Sequence, residues 1–533
     1  MSTRYDAIVI GAGHNGLINA AYLARAGKRV LVVESRPLIG GATVTEEIFP
    51  GFKFSVFSYV VSLLRPQIIE DLELATHGLF LLPLDGTFTP LPDGRYLARW
   101  HDAAKTRQSL LGFSRRDADR YGQFGHEMHH LSRAVREMLD TVPPDPTSFR
   151  PSDLRGLAHV GSHFRALGRA RFYELTRLMT SSSADYLDRW FECEPLKATM
   201  AASGIIGTFL GPRSPGSAYV LLHHYMGEID GVSRSWGFPR AGMGSVVGAI
   251  ASSARSAGVE IRTDAPVARV LVTRGRASGI VLKNGDEIQA DVVASSLDPT
   301  RTFLGLIEAH ELDPEFVAGV RRFKIRGSSG KVNLALGELP NFTCLPGDGP
   351  HLRGSISISP DMDYLERAHD DAKYGDYSRR PYMDILIPSL IDPSMAPPGK
   401  HVMSIFVQYA PYRLRSGTWP EQREAFGDAV VDTLSEYAPN LKHAILHRQV
   451  LSPWDIEQTI GLTEGNIFQG ELSLDQLFFL RPMAGWAKFR TPIRNLYLCG
   501  SGAHPGGGVM GAPGWLAALE MIKDWTRGTV AAS

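Results

Sequence analysis

Residues Tyr5–Ile10 form an almost unbroken apolar run, followed by a glycine-rich turn. Asn15–Ala26 then places apolar side chains at helical spacing, with Gly27 as a stop signal, and Arg29–Glu34 is a second apolar run. A strand that is apolar on both faces needs cover on both sides, which a parallel sheet flanked by helices provides. The segment therefore predicts one βαβ unit. From Thr45 the pattern is mixed, with aromatic-rich turns, until a long amphipathic helix is predicted over Ser114–Leu139. Pro143, Pro144, Pro146 and Pro151 mark a linker, and a mostly helical stretch runs on to Met226. A glycine-rich loop at Gly237–Gly244 leads into a helix over Ser245–Ala257. Short β-branched runs follow at Val259–Arg262, Pro266–Val272, Gly279–Leu282 and Val292–Ala294, which read as a return to the first layer. Lys331–Leu336, Gly354–Ser359, Met383–Ile387 and His401–Val407 are strand candidates separated by Pro, Gly and Asp loops, the signature of a mainly antiparallel sheet. The last stretch, Leu496–Trp525, is again strand, glycine-rich turn, helix. The expected fold class is α/β: a Rossmann-like domain assembled from 1–70, 236–305 and 481–533. Two regions are inserted, a mostly helical one at 71–235 and an α+β domain with a mixed or antiparallel sheet at 306–480.

Composition narrows the classes. The 533-residue chain carries equal numbers of basic and acidic residues, 56 each. Binding to nucleic acid or anionic lipid through general charge calls for a basic excess, so neither is expected from the overall balance. No strongly basic amphipathic helix stands out. No apolar run approaches the ~18 residues of a membrane span, and the start offers no signal-like region, so the cytoplasm is the default location. Cys193, Cys344 and Cys499 are far apart, which excludes a local redox disulfide and a cysteine zinc site. No metal site is expected. His129 and His130, like His223 and His224, lack a ligand pattern.

Gly11-Ala12-Gly13-His14-Asn15-Gly16 fits G-x-G-x-x-G directly after a strand and at the start of a helix. The first glycine permits the tight turn, the second lets backbone approach a pyrophosphate, and the third allows the helix to pack close to the strand. The helix start offers unpaired N–H groups and partial positive charge to the phosphates. Glu34 ends the second strand where an acid can accept from ribose hydroxyls. Arg36 and the second pair Gly40-Gly41 follow, so backbone can run beside a longer cofactor, which favours FAD over NAD. At the other end, Cys499–Ala512 delivers a strand through Gly500, Gly502, Gly506, Gly507, Gly508 and Gly511 onto a helix beginning near Pro513. Amides at that helix start can face the flavin edge on which negative charge develops during reduction. Gly242-Met243-Gly244 lies in a loop after Pro239 and does not make a second dinucleotide site.

On these motifs the chain resembles the phytoene desaturase-type flavoproteins of the wider FAD-dependent amine oxidase and desaturase superfamily. The nearest likeness is to the subgroup called pyridine nucleotide-disulfide oxidoreductase domain-containing protein 2. Gly51–Ser55, Ser62–Gln67, Asp71–Leu74, Gly465–Gly470, Ser473–Leu477, Arg481-Pro482 and the Gly500–Gly511 loop carry it, across nearly the whole chain. The resemblance implies non-covalent FAD held by both terminal motifs, with the adenine near the backbone of Val267. It also implies that Gly465–Arg481 walls a substrate cavity near the flavin. Together with the glycine-rich motifs it sets the expected cofactor contacts: Gly11, Gly13, His14, Asn15, Gly16, Glu34, Ser35, Arg36, Gly40, Gly41, Ala42, Val267, Gly500, Ser501, Gly508, Val509, Met510 and Gly511. Phe57, Tyr59, Phe468 and Arg481 are the candidate cavity residues. The disulfide chemistry in the subgroup's name has no dithiol here to perform it.

Flavin desaturation asks little of a protein beyond placing a C–H bond, excluding water and sometimes offering a base. His504, inside the flavin loop, is the single candidate for proton transfer. The leading reading is hydride transfer to flavin N5 from an apolar long-chain or polyene-like substrate, as a dehydrogenation or a redox isomerisation. The reduced flavin would be reoxidised by dioxygen, a quinone or a protein acceptor. Such a substrate comes from a membrane or a carrier, which is compatible with peripheral membrane contact. Oligomeric state is left open. The alternatives are amine oxidation, which shares the fold, and a flavin-stabilised binding protein with little turnover. Ser501 stands where a carboxylate is typical of amine oxidases.

Overall fold

The computed structural model describes residues 4–530 apart from 230 and 234. The two apolar runs at the N-terminus become the strands Tyr5–Ile10 and Val30–Val33, joined by the helix His14–Arg25. They lie in a sheet in which Glu260–Arg262, Val30–Val33, Tyr5–Ile10, Glu287–Ser295 and Leu496–Leu498 run parallel in that order. Ala7, Ile8 and Val9, like Leu31 and Val32, have no solvent exposure, as cover on both faces demands. The first half of Glu287–Ser295 leaves the parallel array and pairs antiparallel with Arg276–Leu282, which pairs with Val267–Thr273. One long strand thus serves two sheets.

The helices His14–Arg25, Gly244–Ser256 and Ala512–Thr526 cover this layer. The first and last approach closely because Gly514 has no side chain: a Cβ there would lie 2.1 Å from the Asn15 carbonyl. Asn19 Nδ2 donates to Gly514 O at 3.1 Å across the same contact.

The second domain is built on a seven-stranded sheet. Its order is Ile445–Leu451, Ser329–Leu336, His401–Gln408, Tyr382–Leu386, Ser355–Ile358, Gly86–Pro90 and Tyr96–Trp100. All pairings are antiparallel except that of Ser355–Ile358 with Gly86–Pro90. Successive strand residues face opposite sides. One face carries Val332, Leu334, Ile356, Ile385, Ile405 and their neighbours, packed with Phe426, Val430 and Leu434 of the helix Trp419–Ser435. Each fully buried aliphatic contributes about 1.5–3 kcal/mol. The other face carries Lys331, Ser355, Ser357, Asp384 and Arg99, and it forms the floor of a cavity.

Within the region 71–235, whose elements are mostly helices, Gly86–Pro90 and Tyr96–Trp100 add the last two strands of the second sheet. They are short, sit at its edge and are broken by Pro and Gly, so little alternation reaches the sequence. One local stretch is rich in arginine although the overall charge is balanced. Between Phe149 and Tyr173 the chain has five arginines (150, 155, 165, 169, 171) and one acid, Asp153. These lie on the helices Pro151–Leu167 and Arg169–Thr180 and the turn before them. Phe149 is 89% exposed. Among the described residues no helix is long and apolar enough to cross a membrane.

Candidate active site

The turn after the first strand is shaped by its glycines in the way its spacing predicts. Gly11 has φ +92°, and a Cβ on Gly16 would lie 2.1 Å from the Gly11 carbonyl oxygen, so helix and strand touch there. A Cβ on Gly13 would meet nothing within 4 Å. Gly13 thus faces open space at a helix start, the shape a pyrophosphate requires. Glu34 turns back onto this loop: its Oε2 accepts from Ala12 N at 2.9 Å and its Oε1 from Arg36 N at 3.0 Å and Ser35 Oγ at 3.1 Å. Arg36 pairs with Glu46 at 3.1 Å. Gly40 N donates to Ala12 O at 2.9 Å, and a Cβ on Gly41 would stand 3.6 Å from Gly13 Cα, so the second glycine pair runs along the first. Val267 begins a strand next to Ala265, whose N–H donates to Glu34 O at 2.8 Å. His14 Nε2, Asn15 Oδ1 and Arg36 Nη1 are buried here without a hydrogen-bond partner. Buried polar atoms are nearly always paired, and three orphans around an open glycine cradle fit FAD.

The C-terminal loop closes the same site. Asn15 Nδ2 donates to Ser501 Oγ at 3.0 Å, joining the two glycine-rich motifs. Gly500 passes so close to the central strand that a Cβ would lie 2.2 Å from Ser296 O. Ser501, Gly508 and Val509 line the cavity, whereas Met510 is buried and its carbonyl accepts from Arg65 N at 3.1 Å. Gly511, at φ +74°, caps the helix Ala512–Thr526.

Two sequence candidates lie elsewhere than expected. Arg481 does not line the cavity. It is wholly buried and donates to six carbonyls, those of Phe468, Gly470, Glu471, Gln476, Ser501 and Ala503. It stitches the flavin loop to the preceding segment, and burial lowers its pKa to about 9. His504 is also wholly buried, does not line the cavity, and has its pKa lowered to about 3 by burial and the nearby Arg481. At neutral pH it is uncharged, and it stands outside the cavity lining.

The cavity has a volume of about 480 Å³ and adjoins Ala42, Thr43, Ser501, Gly508 and Val509. Phe57, Tyr59 and Phe468 line it, as expected, with Leu63, Ile456 and Leu462. His14, expected at the pyrophosphate turn, lines it too, and burial lowers its pKa to about 4. The sequence reading missed the polar floor. Lys331 Nζ donates to Phe57 O at 3.0 Å and lies 4.0 Å above the Tyr59 ring centroid. Burial in this setting lowers its pKa to about 7, partly opposed by Asp384. Tyr59 donates to Asp384 Oδ2 at 2.6 Å, and Ser355 Oγ donates to Asp384 Oδ1. Burial raises the Asp384 pKa despite those bonds. The signal existed in alternation: Ser329, Lys331 and Asn333 are the polar positions of a strand buried along its whole length. Such a pattern means a polar second face.

Thr45 fills the space at Gly242 and Gly244, where a Cβ would come within 2.4 and 2.9 Å of it, so no second dinucleotide fits there. Cys193, Cys344 and Cys499 are free thiols. Glu366, His369 and Asp370 could bring three ligand atoms within 4.8 Å, but Glu366 accepts from Arg213 N and Asp370 pairs with Lys373.

Comparison with known proteins agrees with the site. The chain is 44% identical to pyridine nucleotide-disulfide oxidoreductase domain-containing protein 2 of Rattus norvegicus, over 98% of this chain and 94% of that one. It is 27% identical to a phytoene desaturase (lycopene-forming) of Pseudescherichia vulneris, over 97% of this chain and 99% of that one. An oxidoreductase structure from Methanosarcina mazei superposes with a TM-score of 0.62 at 18% identity, over 98% of this chain and 100% of that one. Residues 16–518 match the family described as flavin containing amine oxidoreductase. With its cofactor cradle intact and its whole length matched, the chain is an FAD-dependent oxidoreductase and belongs to the flavin containing amine oxidoreductase family.

Proposed function

We propose that the enzyme dehydrogenates, or isomerises by a reversible redox step, an apolar, elongated, unsaturated substrate. The observation that carries this reading is the cavity lining. Asp384 is the only carboxylate among the described lining residues, and it is already held by Tyr59 and Ser355. An ammonium substrate would need a free carboxylate or acceptors to replace its water. An apolar chain needs only the wall of Leu63, Met200, Ile456, Leu462, Ile467 and Phe468. The phytoene desaturase relative supports the same direction.

FAD bound in this site supplies a hydride acceptor at flavin N5. The chain's own part is to seat the substrate, exclude water and manage one proton. Lys331 Nζ, with its pKa near 7, is divided between neutral and charged forms at neutral pH and can accept a proton lost from the substrate. Tyr59 and Asp384 fix the floor beside it.

Anaerobic titration of the purified holoenzyme tests this. Limonene, phytoene or farnesol is expected to bleach the flavin, while putrescine and benzylamine leave it oxidised. Admitting dioxygen or a quinone then identifies the acceptor by the rate at which colour returns. Bleaching by amines alone would replace this reading with amine oxidation. Bleaching by nothing would favour a binding protein with little turnover.

A further inference from the structure

The cavity floor carries more positive charge than it neutralises. Arg99 and Thr87 are cross-strand partners, Thr87 faces Ser355, Ser357 faces Asp384, and Asp384 and Lys331 both face Phe406. All of these residues line the cavity. They form one surface, polar except at Phe406, from the edge strand to the strand beside Phe57. Five strand-to-strand steps lead from the outer residue to the inner one. At about 4.8 Å per step, Arg99 and Lys331 stand roughly 24 Å apart.

Lys331 is the buried end, beside the Phe57–Tyr59 segment, whose Ser58 donates to the Ala42 carbonyl next to the Gly40-Gly41 pair. Arg99 is the outer end, where the exposed His101 and Ala103 also line the cavity. Among the described residues Arg99 has no ion-pair partner, and its Nε is buried without a hydrogen bond. Elsewhere in the chain exposed arginines commonly find a carboxylate, as Arg95 does with Asp93 at 2.7 Å. A guanidinium with a buried, unused N–H beside an apolar cavity is set up to accept a planar anion.

We infer that Arg99 binds the anionic head group, carboxylate or phosphate, of an amphiphilic substrate whose unsaturated tail runs along the floor toward Lys331. This rests on the reading of the cavity as the substrate site. Within that substrate class it ranks long-chain acids or phosphates ahead of their uncharged analogues. It also makes Arg99 a specificity-determining residue, because a head group anchored there fixes which carbon of the tail reaches the Lys331 end of the floor.

The test is equilibrium binding to the oxidised holoenzyme, read from perturbation of the flavin spectrum, with oleate, oleyl phosphate, methyl oleate and oleylamine below their micelle concentrations. At least one anion is expected to bind roughly tenfold or more tightly than methyl oleate, the scale of one charge-assisted hydrogen bond. Oleate against oleyl phosphate distinguishes the two head groups. Arg99→Gln is expected to abolish the preference and Arg99→Lys to restore part of it. Both variants should keep their FAD, since the side chain is partly exposed and bonded to nothing. Equal binding of acid and ester, a preference that survives Arg99→Gln, or tightest binding of oleylamine would overturn the inference. Because binding is read without turnover, the result stands even if none of these compounds reduces the flavin.

Discussion

Lys331→Met should make the protein more stable at neutral pH and erase part of its pH dependence. Lysine ordinarily titrates at 10.5, and burial brings Lys331 to about 7. Between these values the unfolded chain holds a proton that the folded chain has released. Stability therefore rises with pH through that window, by up to about 1.4 kcal/mol per pH unit. Across the whole window the effect is about 5 kcal/mol, nearly all of it still unrealised at pH 7. Methionine fills similar space without a charge. It gives up the bond to Phe57 O, about 1 kcal/mol, and leaves that carbonyl unsatisfied, about another 1 kcal/mol. The net gain is about 2–3 kcal/mol at pH 7; it shrinks as pH rises and becomes a loss of about 1 kcal/mol by pH 10. Thermal melts of both proteins, followed by tryptophan fluorescence at each pH, read this directly. Curves that stay parallel from pH 7 to pH 10 would refute the argument, since they would mean that Lys331 does not change its protonation on unfolding.

Three further variants probe the cofactor cradle and the loop that closes it. Gly13→Ala should fold, because its Cβ enters open space, yet lose FAD at least tenfold more readily; Gly16→Ala should fail to fold, with its Cβ 2.1 Å from Gly11 O. Circular dichroism and flavin content separate the two. Arg481→Met leaves six carbonyls without their donor and should lower stability by at least about 3 kcal/mol, measured as an earlier melt with early flavin release. A variant as stable as the parent would remove Arg481 from its structural role.

The ends of the chain are far more legible than its middle. Each terminal motif needs glycines at fixed positions for steric reasons, so Gly11, Gly16, Gly500 and Gly511 declare a geometry by themselves. The βαβ unit follows from apolar runs that only a doubly covered strand can use. The cavity floor is different. Lys331, Asp384 and Arg99 come from three strands separated by tens to hundreds of residues, and nothing local says that their alternate positions share a face. His504 misleads for the complementary reason: a histidine between flavin-loop glycines looks chemical, but chain direction at Pro505 and packing under Phe478 decide where the ring goes, and both depend on the tertiary fold. Arg481 reads as facing substrate because its segment walls the cavity, whereas its guanidinium points behind that wall to carbonyl oxygens.

The bond from Asn15 to Ser501 spans 486 positions. A ribosome releases the first motif long before the last one exists, so the N-terminal βαβ unit must wait with its cradle half built until Leu496–Leu498 docks beside Glu287–Ser295. Closing so large a loop is slow compared with forming local structure. Cofactor capture is therefore a late event in the life of the nascent chain, and a product stopped short of residue 496 would carry a recognisable dinucleotide fingerprint yet retain no flavin.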